Sequence, residues 1–247
     1  MLKKGNYENF DFLIAFCEEE KMRFLVISDI HGDLAYLSKL EEEFVQADAV
    51  ICAGDFAEVF KEETGLPVLE KLIKKHETIF SVLGNCDPPS FLEKLESYDV
   101  SVQGLIASFE GLTFIGAGGA TRFTGQTPNE ISEEEILGDI ALVQNGEDAP
   151  WDNLVMIIHN PPHDTKLDKV SMGLHVGSKK IREAVEEIKP LVLVSGHIHE
   201  SFAIDSLGDT LLINPGSLAE GRYAILEIEK KNGVFEARAE LKEIIVP

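Results

Sequence analysis

Residues 23–31 read RFLVISDIH, an apolar run that ends abruptly in an acidic residue with a histidine two positions on. A half-exposed edge strand would alternate polar and apolar side chains, so a run this uniform predicts a strand buried on both faces. The following stretches repeat the arrangement. Residues 33–45 place Leu34, Leu37, Leu40 and Phe44 on one helical face, with acidic residues opposite. AVICA (49–53) is a second strand and stops at Gly54-Asp55. A helix over 66–74 then leads to a third strand, 78–83, which ends in Gly84-Asn85-Cys86-Asp87. Strand, polar cluster and helix thus recur, the pattern of an α/β sheet whose functional groups sit beyond the carboxyl ends of its strands.

Beyond residue 100 the strands shorten and crowd together, and residues 116–129 form a Gly/Thr-rich loop, GAGGATRFTGQTPN. Ser132 and Glu135 make a Ser-x-x-Glu capping box that predicts a helix to about residue 144. Strands follow at 154–158, 191–194, 202–204, 210–213, 223–228 and 234–241, with a helix over 179–188. A parallel first half and an antiparallel second half predict two sheets in one core. No linker, repeat or composition break follows Met22, so residues 23–247 read as one domain. Residues 1–22 read as an amphipathic N-terminal extension; Met22, directly before the first strand, leaves a misassigned start as the alternative.

The chain has 247 residues, 44% hydrophobic and 27% charged, which excludes a disordered protein. Its 22 basic and 44 acidic residues give a formal charge of -22, which repels DNA, RNA and anionic lipid and argues against general nucleic-acid binding. A phosphate substrate would need a local cationic centre. Cys17, Cys52 and Cys86 are too far apart for a CxxC motif and fit a reducing compartment. No uncharged run approaches the roughly 18–20 residues of a membrane span, and residues 12–17 are too short for a signal-peptide core. The expectation is a cytoplasmic protein without membrane contact; homo-oligomerisation stays open.

Chemistry gathers at the strand ends: Asp29-x-His31, Gly54-Asp55, Gly84-Asn85-Cys86-Asp87, His159-Asn160 and Gly196-His197-x-His199. Each motif alone is common, but the set places four of the seven histidines directly after buried strands. Four imidazoles, two carboxylates and an amide oxygen suit Mn, Fe, Zn, Co or Ni better than Ca or Mg. They exceed the needs of one ion and fit two divalent transition-metal ions that share a carboxylate. Two such ions, two carboxylates and a bridging hydroxide would sum to about +1, the missing cationic centre.

The order Asp-x-His, Gly-Asp, Gly-Asn-x-Asp, His, Gly-His-x-His, running from Arg23 to about Ser217, resembles the calcineurin-like metallophosphoesterase family. The resemblance implies a four-layer α/β/β/α sandwich of two mixed sheets with a dinuclear site at one end. It implies Asp29, His31 and His199 on one metal, Asn85, His159 and His197 on the second, and Asp55 bridging them. Asp55, Asn85 and His159 are the positions to which it assigns catalysis. Asn214-Pro215-Gly216-Ser217 is similar to the family's closing loop, a simple turn being the alternative. Most members carry His where this chain has Cys86, a variant also met in the family's small phosphodiesterases. A thiol is a poorer neutral-pH proton donor than an imidazolium. Asp87 reads as a hydrogen-bond acceptor rather than a ligand.

Outside the ligand set, Arg122 could fork onto a phosphate oxygen or be a surface arginine. His163 and His175 are candidates for substrate contact, and His76 reads as a solvated cation at a helix end. The function expected is hydrolysis of a small phosphodiester by a metal-bound hydroxide. Phosphomonoesterase or protein phosphatase activity on the same site is the first alternative, and a non-catalytic protein-binding scaffold of the same fold is the second.

Overall fold

Side chains alternate across a strand, so a strand buried on both faces must feed two separate cores. Strand β1 (Glu20–Ile27) does so: Leu25 and Ile27 join one apolar cluster, Phe24 and Val26 another. The same division runs through the computed structural model, which describes residues 20–123, 125–144 and 151–245. After β1 come α1 (Leu34–Leu37), α2 (Glu41–Gln46), β2 (Ala49–Cys52), α3 (Gly65–Lys75), β3 (Ile79–Ser81) and α4 (Leu92–Ser97). Strands β4 (Ala107–Phe109), β5 (Leu112–Ala117), β6 (Ala120–Thr121) and β7 (Glu130–Ile131) lead to helices α5 (Glu133–Asp139) and α6 (Ala141–Gln144). Then follow β8 (Leu154–Ile158), α7 (Lys179–Ile188), β9 (Val192–Val194), β10 (Ala203–Leu207), β11 (Thr210–Asn214), β12 (Arg222–Lys231) and β13 (Val234–Glu243).

One large sheet has the order β13-β12-β1-β2-β3, the other β10-β11-β9-β8-β5-β4, and β6 and β7 form a small parallel pair. Both large sheets are mixed. β1, β2 and β3 are parallel, and β12 and β13 add to them antiparallel. The second sheet has a parallel centre of β11, β9, β8 and β5 with antiparallel edges β10 and β4. The sheets therefore do not divide into a parallel first half and an antiparallel second half. The local sequence shows the hairpins β10–β11 and β12–β13, but it does not show that the last hairpin crosses back to β1.

Helices α1 to α4 cover the outer face of the first sheet, where Leu37, Phe44, Leu69 and Leu72 meet Leu25, Ile27 and Val50. Phe24, Ile51, Phe80, Phe114, Val155 and Ile157 fill the space between the sheets. Ile136, Ile181 and Val185 from α5 and α7 close the outer face of the second sheet against Ile115, Met156 and Ile158. The result is the expected α/β/β/α sandwich. The helix anticipated over 33–45 is two helices: Asp33 caps α1 by accepting the Ala35 N–H at 2.7 Å, and the Ser38 hydroxyl donates to the Leu34 carbonyl at 2.7 Å as α1 ends. The Ser132–Glu135 capping box forms as anticipated.

β1 starts at Glu20, ahead of the expected Arg23; Met22 pairs with Ile228 and is buried. Residues 1–19 of the anticipated extension, with Cys17, lie outside the described residues. Among the described residues no helix is long and apolar enough to cross a membrane.

Phe80 of one sheet stacks on Phe114 of the other with ring centroids 3.9 Å apart and planes 8° from parallel, and Phe24 packs against the same ring at 6.0 Å. Phe114 is fully buried between the sheets. Phe114→Ala should lower stability by about 3–5 kcal/mol through lost burial and a cavity, read as a fall in the urea midpoint at unchanged slope.

Candidate metal centre

The five polar clusters leave the carboxyl ends of parallel strands, β1, β2 and β3 in the first sheet and β8 and β9 in the second. Backbone hydrogen bonds lock the turns together: the Asp29 N–H donates to Gly54 O at 3.0 Å, His31 N–H to Asp55 O at 3.0 Å and Gly196 N–H to His159 O at 3.0 Å. Asp29, His31, Asp55 and His197 all hold left-handed backbone, with φ of 53°, 47°, 57° and 68°. Such conformations are uncommon outside glycine and gather where the surroundings impose them. Gly84 belongs to the same packing: a Cβ there would lie 1.9 Å from Asp55 Oδ1, so only glycine leaves room for the Asp55 carboxylate.

These turns aim acceptor atoms at one another. His159 Nδ1 lies 2.6 Å from the Ala53 carbonyl, which can only accept, so Nδ1 carries the proton and Nε2 presents a lone pair. That lone pair faces Asn85 Oδ1 at 2.9 Å and Asp55 Oδ2 at 3.5 Å. His31 Nδ1 is likewise 3.3 Å from Ala57 O, and its Nε2 faces His199 Nε2 at 3.1 Å, Asp55 Oδ2 at 3.8 Å and Asp29 Oδ1 at 3.9 Å. His199 Nε2 is 3.2 Å from Asp29 Oδ1, and the His197 ring lies 5.3 Å from that of His159. Asp29, His31 and His199 form one group within ligating reach, and Asp29, Asp55 and His159 form another. Lone pairs converging on carboxylate and amide oxygens repel one another unless cations lie between them, so the donor set fits divalent metal ions.

The ionisation pattern has the same cause. Burial, reinforced by the Asp29 and Asp87 carboxylates, pushes the Asp55 carboxyl well up. Burial also works against ionised Asp29, but the His199 hydrogen bond and the nearby imidazoles outweigh it and hold that carboxyl below its ordinary range. Burial lowers His31 and His159, and with the His159 charge it pushes His197 down to about 3. For His199 burial is outweighed by the Asp29 bond, and the imidazole is raised. Asp87, pushed up to about 6 by burial, accepts the N–H groups of Gly84 and Ala57, each at 2.8 Å, and so braces the turns.

A calcineurin-like phosphoesterase superfamily domain matches residues 22–231. The chain belongs to that superfamily. An uncharacterized protein of Methanocaldococcus jannaschii is 33% identical over 222 residues, covering 87% of this chain and 96% of its own. The crystal structure of TT1561 from Thermus thermophilus superposes with a TM-score of 0.65 at 17% identity, over 89% of this chain and 99% of that one. A dimetal phosphatase from Danio rerio superposes with a TM-score of 0.56 at 14% identity, over 88% and 98%. Family and fold point to a metal-dependent phosphoesterase, and the family usually binds divalent metals.

In the candidate centre, Cys86 is buried beside Asp55: its N–H donates to Asp55 Oδ1 at 2.7 Å and its sulfur accepts the Asn85 amide at 3.5 Å. Burial and the Asp55 carboxylate push the thiol up and keep it protonated. The 214–217 loop is more than a turn, because the Ser217 hydroxyl donates to Asp29 O at 2.8 Å and the Asn214 amide to Ile198 O at 3.0 Å. Arg122 is exposed, lies 3.9 Å from Glu135, and lines a cavity that also reaches Asn85 and His197. His163 and His175 line neither of the two cavities that open on the candidate ligands. Their rings face each other at 5.9 Å and turn towards buried Asp168, His175 Nδ1 at 2.7 Å and His163 Nδ1 at 3.5 Å. His76 is half-buried rather than solvated, with its ring nitrogens 2.9 Å and 3.1 Å from the Thr78 and Ala47 carbonyls. Sequence reasoning missed Asp168, Glu130 and Phe123, which carry no motif in so acidic a chain.

Asp168 closes the 164–177 loop by accepting the N–H groups of Asp164 at 3.1 Å, Thr165 at 2.9 Å and Gly177 at 3.0 Å. Burial opposes its charge, but the His175 and backbone bonds prevail and hold the carboxyl below its ordinary range. A depressed folded-state value contributes stability above the unfolded value, which is lost as pH falls through the folded one. Asp168→Asn should therefore cost about 1–3 kcal/mol at neutral pH, and its deficit against the parent should shrink below about pH 4, read from urea midpoints at both pH values.

Proposed function

We propose that this phosphoesterase hydrolyses small phosphodiesters at a dinuclear centre held by Asp29, His31, Asp55, Asn85, His159, His197 and His199. The observation that carries the reading is the convergence of the His31 and His159 lone pairs on the Asp29, Asp55 and Asn85 oxygens, an arrangement that divalent cations relieve. Bound there, two ions would supply Lewis acidity to the phosphoryl oxygens and a water of lowered pKa. The Danio rerio protein of the same fold is a dimetal phosphatase, which agrees with this ion count.

The chain's own residues have separable tasks. Ala53 and Ala57 carbonyls fix the tautomers of His159 and His31, so both rings keep Nε2 free to ligate. Asp55 Oδ2 faces His31 Nε2 at 3.8 Å and His159 Nε2 at 3.5 Å, which supports a bridging role. Cys86 occupies the place where an imidazolium would otherwise serve the leaving group. Its thiol offers little acid assistance, which disfavours monoesters with poor leaving groups more than activated diesters. The charge of -22 keeps long polyanions away while the centre attracts phosphate locally, so small substrates are preferred over nucleic acid.

Elemental analysis after loading with Mn or Zn should give two ions per chain; a ratio that never exceeds one would remove the dinuclear reading. Asp55→Ala should lower that content more than His31→Ala, because the Asp55 carboxylate faces both His31 and His159. Equal losses would argue against the bridge.

In a panel of chromogenic monoesters and diesters the metal-loaded protein should turn over diesters faster. Cys86→Ser should leave an activated diester within about threefold of the parent, whereas Cys86→His should speed poor leaving groups by up to about 10²-fold, the low end of general-acid assistance. Loss of diester hydrolysis in Cys86→Ser with both metals retained would make the thiol itself functional.

A further inference from the structure

Val170, His197 and Ile198 are common to the walls of two cavities. The larger, about 640 Å³, carries the carboxylates of Glu200 and Glu220, and its one arginine, Arg222, is engaged by Glu220 at 2.7 Å. Its two carboxylates outnumber its one guanidinium. The smaller, about 340 Å³, reaches Asn85 and His197 of the candidate centre and differs in kind. Its walls include Phe123, Val170, Val176 and Ile198, with Arg122 as its cation.

Phe123 is 88% exposed, an aromatic ring that contributes nothing to the core. Its backbone is nonetheless held in place. The Glu130 carboxylate accepts the N–H groups of Phe123 at 2.9 Å, Gly125 at 2.8 Å, Gln126 at 3.0 Å and Thr127 at 3.3 Å, and the Thr127 hydroxyl at 3.2 Å. The loop thus wraps an anion and neutralises the one carboxylate in the cavity wall. It also presents Phe123 at the rim of a cavity that opens on the centre. A loop backbone held in this way does not have to be ordered when a ligand covers it.

We propose that this cavity is the specificity pocket of the enzyme and takes an aromatic or flat heteroaromatic ester group carried on the substrate's phosphorus, stacked on Phe123 with Arg122 beside the phosphate. The inference rests on the phosphoesterase reading above. Size supports it, because about 340 Å³ lies at the lower end of small-molecule sites and holds a ring or a nucleoside rather than a segment of macromolecule. The chemistry of the walls supports it too, since apolar side chains and an arginine fork match a ring joined to an anion.

The test is binding of phenylphosphonate and methylphosphonate to the metal-loaded full chain by calorimetry, which reads affinity without turnover. Phenylphosphonate should bind about tenfold more tightly, and Phe123→Ala should lose about threefold to tenfold of that affinity while methylphosphonate stays within about twofold. The exposure of Phe123 keeps the variant folded, which an unchanged melting temperature verifies. Equal affinity of the two probes for the parent protein, or a preference that survives intact in Phe123→Ala, overturns the pocket and leaves the phosphoesterase reading standing. Binding of neither probe to protein that holds its metals overturns both.

Discussion

The structure is organised around a repulsion. Asp29, Asp55 and Asp87 are buried together at the ends of three adjacent parallel strands, where water cannot screen their charges. Each is handled differently. Asp87 takes backbone N–H bonds, Asp29 is surrounded by imidazoles, and Asp55 is left between two histidines with its carboxyl forced upward by burial and by its neighbours. Three carboxylates buried this closely, two of them beside imidazoles, form a candidate cation site.

Unusual backbone gathers around that site. Where candidate ligands from two sheets meet, the turns after β1, β2 and β9 place non-glycine residues in left-handed backbone, and Gly84 leaves room for the Asp55 carboxylate. The cost of this strain falls on the turns and is carried by the rigid sandwich behind them, where the stacked rings of Phe80 and Phe114 tie the two sheets together. The acidic surface adds a long-range field: a protein of charge -22 repels polyanions.

The loops around the centre divide into two kinds. The 164–177 loop is closed on Asp168, onto which His175 and His163 turn. The 122–127 loop is closed on Glu130, and its backbone bonds leave Phe123 and Arg122 facing outward at the cavity. A similar device, a carboxylate collecting backbone N–H groups, thus closes both loops.

The order of the candidate ligands was legible in the sequence because it depends on local signals. A buried strand declares itself by its apolar run and stops where the polar residues begin, so Asp29, His31, Asp55, Asn85, His159, His197 and His199 could be placed at strand ends from spacing alone. Two sheets in one core were anticipated from the strand pattern, but the α/β/β/α layering rested on the family resemblance, and the division of strands between the sheets was not legible. Three further things were not legible either. The crossing of β12 back to β1, the turning of His163 and His175 onto Asp168, and the apolar wall of Phe123, Val170 and Val176 each join residues remote in sequence. A histidine reads alike whether it faces a metal or a carboxylate, and an exposed phenylalanine reads like a buried one. Sequence determines which groups each strand end offers; only tertiary packing, through burial and hydrogen bonds between distant loops, decides which of them share a site.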